Sequence, residues 1–190
     1  KNPAVGRGFQ GVIMRAVGAK DHVITVTGKR YRTDYFVRVD FLSETLLSPD
    51  GEAPGNWIRA WFPDAGGRGK HYQRGYTLLD PNPATGEFSI DFVLHHPMGP
   101  ASNWAANCEQ GDEILAMRYG EEPFTLSDPA PTGYLFLGDL AGYPAITSVV
   151  ASIPTEHEVV VYLEQHAHTD TELPLPPRSE HHRRLGSRTP

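Results

Sequence analysis

One cysteine, Cys108, stands in 190 residues. No intrachain disulfide can therefore staple the fold, and such usage is compatible with a reducing compartment. No apolar run reaches the roughly 20 residues that a membrane-spanning helix requires, and no charged-then-apolar leader opens the chain. The expectation is a water-soluble piece, which leaves room for a membrane-embedded remainder in a larger protein. Positive charge is also short: 17 Lys and Arg face 23 Asp and Glu, for a formal net charge of −6. A nucleic-acid binder usually carries a basic footprint, so nucleic acid is not expected as a partner. No catalytic triad is recognisable, and no catalytic residue is assigned. A hydrophobic content of 39% over this length suffices for one full domain and part of a second.

What is present reads first as strands. Residues 11–17 and 22–27 are β-prone runs around the turn G-A-K-D at 18–21. Residues 35–41 (Y-F-V-R-V-D-F) alternate, with Phe36, Arg38 and Asp40 on one side and Tyr35, Val37, Val39 and Phe41 on the other. Residues 43–47 suit one helical turn, while residues 57–62 and 114–119 read as further strands. Many short strands at this spacing suggest a small antiparallel barrel. The stretch D-A-G-G-R-G-K at 64–70 lacks the order of a phosphate-binding P-loop and is read as an ordinary loop.

Residues 74–102 (R-G-Y-T-L-L-D-P-N-P-A-T-G-E-F-S-I-D-F-V-L-H-H-P-M-G-P-A-S) organise the rest. They read as a hairpin of strands 74–79 and 87–94 around turn chemistry at 80–86. A helix then opens at Gly99-Pro100-Ala101-Ser102 and stops near Gly111. Tyr76 offers a ring for a flat conjugated cofactor, and Thr77 a hydroxyl for its edge. Arg74 and the N–H groups of Ala101 and Ser102 suit a pyrophosphate, because the helix start presents free donors and a favourable dipole.

The order R-x-Y-T, D-F-V-L-H, G-P-A-S-x-W-A resembles the siderophore-interacting proteins, a branch of the ferredoxin-reductase-like flavoproteins. The resemblance runs from about residue 9 to 164. It holds in particular for the siderophore-interaction domain at the start of actinobacterial ABC importers of iron-loaded mycobactins. It implies that FAD is bound by Arg74, Gly75, Tyr76 and Thr77, by Asp91, Phe92, Val93, Leu94 and His95 along its other side, and by Ala101 and Ser102 at the pyrophosphate. It further implies an NAD(P)H donor, a ferric siderophore of the mycobactin or carboxymycobactin kind, membrane-embedded transporter domains as partners, and a place at the cytoplasmic face of the inner membrane. The implied fold is a small antiparallel FAD-binding β-barrel at 9–122, followed by a partial parallel βαβ NAD(P)H-binding domain at 132–165.

The residues themselves support the second part. An apolar run at 134–137, a helical pattern at 144–152 and a strand at 158–163 make a βαβ unit, which requires parallel pairing. The turn after the first such strand is where nucleotides dock. Here it reads G-D-L-A-G-Y-P-A-I, with Leu140-Ala141 and Tyr143 where many family members have Glu-Thr and Leu. One helix and two strands leave sheet faces uncovered. Residues 166–190 are polar, proline-rich and charged, and are read as disordered or connecting.

Other features have plainer readings. His95 and His96 are adjacent on a strand and point to opposite faces, so they do not chelate one ion together; no metal is assigned. His166 and His168 suit adventitious zinc at most. Lys29-Arg30-Tyr31-Arg32 reads as a solvated turn, with an anionic ligand as the alternative. Trp104 and Cys108 are read as packing residues. The function expected is FAD-dependent reduction of a ferric siderophore. The alternatives are a generic NAD(P)H-flavin or ferredoxin-type reductase, and a non-enzymatic siderophore-docking module of an importer.

Overall fold

The computed structural model describes residues 20–64, 66, 69–118, 122, 124–165, 173–174 and 180–185, with backbone only at 165 and 180–185. The strand expected at 11–17 and the pair His166 and His168 lie outside these residues. The chain divides into two units, one of residues up to 52 with 56–122, the other of 53–55 with 123–190.

The first unit holds β1 (His22–Thr33), β2 (Phe36–Leu42), β3 (Trp57–Pro63), β4 (His71–Thr77), β5 (Leu79–Asn82), β6 (Glu87–Val93), α1 (Pro100–Asn107) and β7 (Glu113–Met117). The seven strands form one antiparallel sheet in the order β4-β3-β7-β1-β2-β6-β5. Strands β4 and β5 are at opposite edges, yet only Leu78 separates them in the chain. Consecutive Cα atoms are about 3.8 Å apart, so the two edges must approach each other and the sheet must curl into a half-barrel. Leu78 makes the crossing with its N–H bonded to the Asn56 carbonyl at 2.8 Å.

This corrects the hairpin expected at 74–94. The strand carrying R-G-Y-T pairs with β3, and the hairpin partner of β6 is the short β5. Asp80-Pro81-Asn82 belongs to β5, where an edge position tolerates proline, and the turn falls at 83–86. Gly86 closes that turn at φ +78°, and a Cβ there would stand 2.3 Å from the Ser43 carbonyl oxygen. Residues 44–47 are bends, so the stretch 43–47 is not a helical turn. β1 continues through Lys29 to Arg32, so the basic cluster is strand, not turn.

Alternation fills the interior. Ile24, Val26, Val37, Val39, Phe41, Ile58, Ala60, Phe62, Phe88, Ile90, Phe92, Ile114 and Ala116 form one buried cluster, which Ala101 and Ala105 from α1 and Cys108 just after it join. On the other face, Trp61, Leu115 and Met117 make a smaller one. α1 ends at Asn107, where the Cys108 N–H returns to the Trp104 carbonyl at 2.8 Å, short of the expected Gly111.

The second unit is β8 (Gly133–Gly138), α2 (Tyr143–Ser152), β9 (Glu158–Gln165) and β10 (Glu180–Leu185), with a parallel sheet ordered β10-β9-β8. Glu180–Leu185 thus pairs in register with β9 inside the stretch expected to be disordered or connecting. A parallel neighbour supplies the backbone partners that a charged segment cannot find alone. α2 buries Tyr143, Ile146, Val149 and Val150. It comes close to β8 at Gly138, where a Cβ would stand 2.7 Å from Ile146 Cδ1. Leu135 and Leu137 remain 62% and 70% exposed on alternate positions of β8. Among the described residues, no helix is long and apolar enough to cross a membrane.

Candidate functional site

β4 presents the R-G-Y-T residues on two faces. Its register pairs Tyr76 with Ile58, Arg74 with Ala60 and Tyr72 with Phe62. Directly opposed residues share a face, and those three β3 residues belong to the main core. Tyr72, Arg74 and Tyr76 therefore line the inner face at the edge of the half-barrel. Gly75 and Thr77 take the other face, opposite Arg59 and Trp57. A Cβ on Gly75 would meet the Trp57 ring at 3.4 Å. The close approach that this glycine permits is thus to an indole, away from the Arg74 and Tyr76 side chains.

Arg74 is exposed, and its Nη1 donates to the Gln73 carbonyl at 2.7 Å. Tyr76 is half-buried. Burial raises its phenol above the ordinary range, and the Arg74 charge works in the opposite direction. Its ring lies 4.5 Å from that of Phe92, centroid to centroid, and 5.6 Å from that of Phe62.

The D-F-V-L-H stretch is used mainly by the fold. The Asp91 side chain is fully buried, receiving Arg38 Nε at 2.6 Å on Oδ1 and Nη2 at 2.8 Å on Oδ2, with Arg32 Nη1 3.8 Å from Oδ2. Phe92 and Leu94 are core side chains, and the Leu94 N–H is bonded to the Tyr35 carbonyl at 2.7 Å. Val93 is half-buried and its carbonyl accepts Ser102 Oγ at 3.0 Å. His95 and His96 are exposed beyond the strand.

That Ser102 bond ties the start of α1 to the end of β6. Gly99 is the N-cap without a side-chain cap bond, Pro100 occupies the first turn, and no acidic residue lies there. The first free N–H groups of such a helix have no intrahelical acceptor, and here they belong to Ala101 and Ser102, whose side chains are buried. Trp104 packs on Phe41 (6.1 Å, nearly parallel), Phe62 (5.5 Å) and Phe92 (6.2 Å). Tyr76, Phe92 and Trp104 thus bring the three sequence motifs together in one aromatic cluster, although β4 and β6 are not neighbours in the sheet. Phe62, which touches all three, lies outside the motifs and is flagged only by strand alternation.

The basic run at 29–32 is largely engaged. Lys29 Nζ donates to the carbonyls of Ala106 (2.9 Å) and Cys108 (2.8 Å), capping the C-terminal end of α1 where a cation is favoured. Arg30 pairs with Asp40. Cys108 is buried, and burial raises its thiol, with Lys29 opposing. No group of three or more potential metal ligands exists among the described residues. In the second unit, Asp139 Oδ1 accepts the N–H groups of Ala141 (2.9 Å) and Gly142 (3.0 Å), and Leu140 and Tyr143 are buried.

The donor set fits a flavin dinucleotide: an exposed guanidinium, a half-buried ring on the same strand face, and helix-start N–H groups free of acidic neighbours. Comparison with known proteins bears on the family and its cofactor. The family model for a siderophore-interacting FAD-binding domain matches residues 29–119. The mycobactin import ATP-binding/permease protein IrtA of Mycolicibacterium thermoresistibile is 44% identical over 94% of this chain, which spans 20% of that protein's length. The ferric vibriobactin reductase ViuB of Vibrio cholerae is 27% identical over 72% of this chain and 55% of its own. The siderophore-interacting protein of Acinetobacter baumannii superposes with a TM-score of 0.73 at 20% identity, over 90% of this chain and 69% of that one. That likeness shows the fold, an antiparallel half-barrel followed by a small parallel α/β unit in the ferredoxin-reductase-like manner.

Proposed function

Because the chain, through residues 29–119, belongs to the siderophore-interacting FAD-binding domain family, we propose that it is the FAD-dependent ferric-siderophore reductase domain of an iron-siderophore importer. The observation that carries this reading is the convergence of Tyr76, Phe92 and Trp104, which sets the Arg74 strand beside the start of α1. Arg74 and the N–H groups of Ala101 and Ser102 would hold the pyrophosphate and Tyr76 would flank the ring system, whereas register turns Thr77 to the other face of β4. Bound FAD supplies the redox chemistry, two electrons in and single electrons out. The protein contributes position and electrostatics. The substrate is Fe(III) in a siderophore of mycobactin type, with NAD(P)H as donor. Hard anionic oxygen ligands grip Fe(III) far better than Fe(II), so one added electron loosens the cage, and no protein acid or base is needed. The kinship with IrtA, a mycobactin importer by name, and with the reductase ViuB supports both halves of the proposal. It also supports a cytoplasmic-face location beside transporter domains.

The turn after β8 favours a second reading for the donor. Leu140 and Ala141 bring no polar side chain, and Asp139 already takes the N–H groups of Ala141 and Gly142. In that reading the domain docks the siderophore without accepting electrons from NAD(P)H. Anaerobic spectroscopy separates the two. The purified protein, loaded with FAD, is expected to show flavin absorption at about 450 nm that bleaches with NAD(P)H and returns with ferric siderophore. Bleaching by dithionite but not by NAD(P)H, followed by recovery with ferric siderophore, sinks the donor assignment alone. Recovery that never comes sinks the reductase reading.

A further inference from the structure

β4 is an edge strand of the described sheet, paired with β3, and at Leu78 the chain leaves its Tyr76 end for the opposite edge. Past the final pair, Thr77 with Trp57, one further rung is made, the Leu78 N–H donating to the Asn56 carbonyl at 2.8 Å. Asn56 is itself anchored away from β4. Its side chain is buried, and Nδ2 donates to Glu52 Oε2 at 2.9 Å. The Glu52 side chain, 1% exposed, also accepts the Ser48 N–H at 2.8 Å and Arg118 Nη2 at 2.8 Å. Asn56 Oδ1 is buried with no hydrogen-bond partner among the described residues. A buried acceptor left idle costs stability, so an apolar residue would serve packing better. What the amide adds is a directional tie between the last rung of β4 and the Glu52–Arg118 pair.

We infer that Asn56 is a positioning residue for the flavin ring system, fixing Tyr76 through Leu78 without touching the cofactor. The inference rests on the FAD reading above. Tyr76 stands two residues before Leu78, and its ring lies 4.5 Å from that of Phe92, on a strand that is not a sheet neighbour of β4. No ladder spans that gap, so the place where β4 is held at its end decides how far Tyr76 stands from β6. Arg74 lies two residues further back, with paired residues on both sides, and is held without that last rung. The ring end of the site therefore depends on Asn56, and the phosphate end does not.

Equilibrium titrations with FAD and with ADP, which carries the phosphates but no ring system, test it. Asn56→Ala is expected to weaken FAD about fivefold, the worth of one hydrogen bond, and ADP by less than about twofold. Bound FAD should also fluoresce more brightly in the variant, because a tyrosine quenches flavin emission only at close range. Asn56→Ser keeps a shorter donor, is expected to lose less, and carries the comparison if the alanine variant does not fold. Asp91→Ala, which loosens the sheet between β2 and β6, is the control and should keep the wild-type ratio of FAD to ADP affinity. Equal losses of FAD and ADP in the Asn56 variants, an unchanged FAD affinity, or the same ring-selective loss in Asp91→Ala overturns the positioning role while the FAD reading stands. Wild-type protein that binds no FAD overturns both.

Discussion

Arg38 grips Asp91 through two nearly parallel hydrogen bonds, Nε to Oδ1 at 2.6 Å and Nη2 to Oδ2 at 2.8 Å, across neighbouring strands β2 and β6. The carboxylate is fully buried, so the pair is a structural lock between β2 and β6. Asp91→Ala leaves a guanidinium with one partner gone in a poorly hydrated place, at an expected cost of about 3 kcal/mol. Urea denaturation should show this loss, with FAD affinity of the folded fraction kept within about twofold.

Arg74 predicts the opposite pattern. Its side chain is exposed, and among the described residues its guanidinium bonds only the neighbouring Gln73 carbonyl. Arg74→Ala should leave the urea midpoint unchanged and weaken FAD about tenfold, the worth of a charge-assisted contact to phosphate. The affinity gap between wild type and variant should narrow with added salt. An unchanged FAD affinity removes Arg74 from the site.

Glu52 sets an acid limit on the first unit. Burial acts to raise its carboxyl, but hydrogen bonds from Arg118, Asn56 and the Ser48 N–H outweigh it, and the net shift is downward from 4.5. A depressed folded value stabilises above the unfolded one, and the contribution fades as pH falls through the folded value. Glu52→Gln should therefore lose about 2 kcal/mol at pH 7, with wild type and variant converging as pH falls from 4.5 through the depressed folded value. Parallel stability curves across that range would contradict the assignment.

Most elements were legible locally. Alternation located β2, β3 and β6, the Gly-Pro-Ala-Ser turn located α1, β7, β8 and β9 were read as short apolar strands, and α2 followed from helical periodicity. The pairing of β4 was not legible. Residues 74–79, a turn and 87–94 satisfy every local rule for a hairpin, because strand propensity and turn chemistry carry no record of which edge a strand joins. β10 was hidden for a similar reason. Polar, charged residues read as solvated chain, and only a neighbouring parallel strand makes them β.

The site divides in the same way. Residue types and order alone marked Arg74, Tyr76, Ala101 and Ser102, since a cation, a ring and a proline-led helix start are chemical facts of the sequence. Facing and commitment were settled by the fold. Register turned Arg74 and Tyr76 inward with Tyr72 and sent Gly75 and Thr77 the other way. Desolvation and the approach of Arg38 from β2 claimed the Asp91 carboxylate for the core. A sequence specifies which groups are available and their local spacing; which neighbours meet them depends on distant strands, and burial then decides which groups remain free to bind.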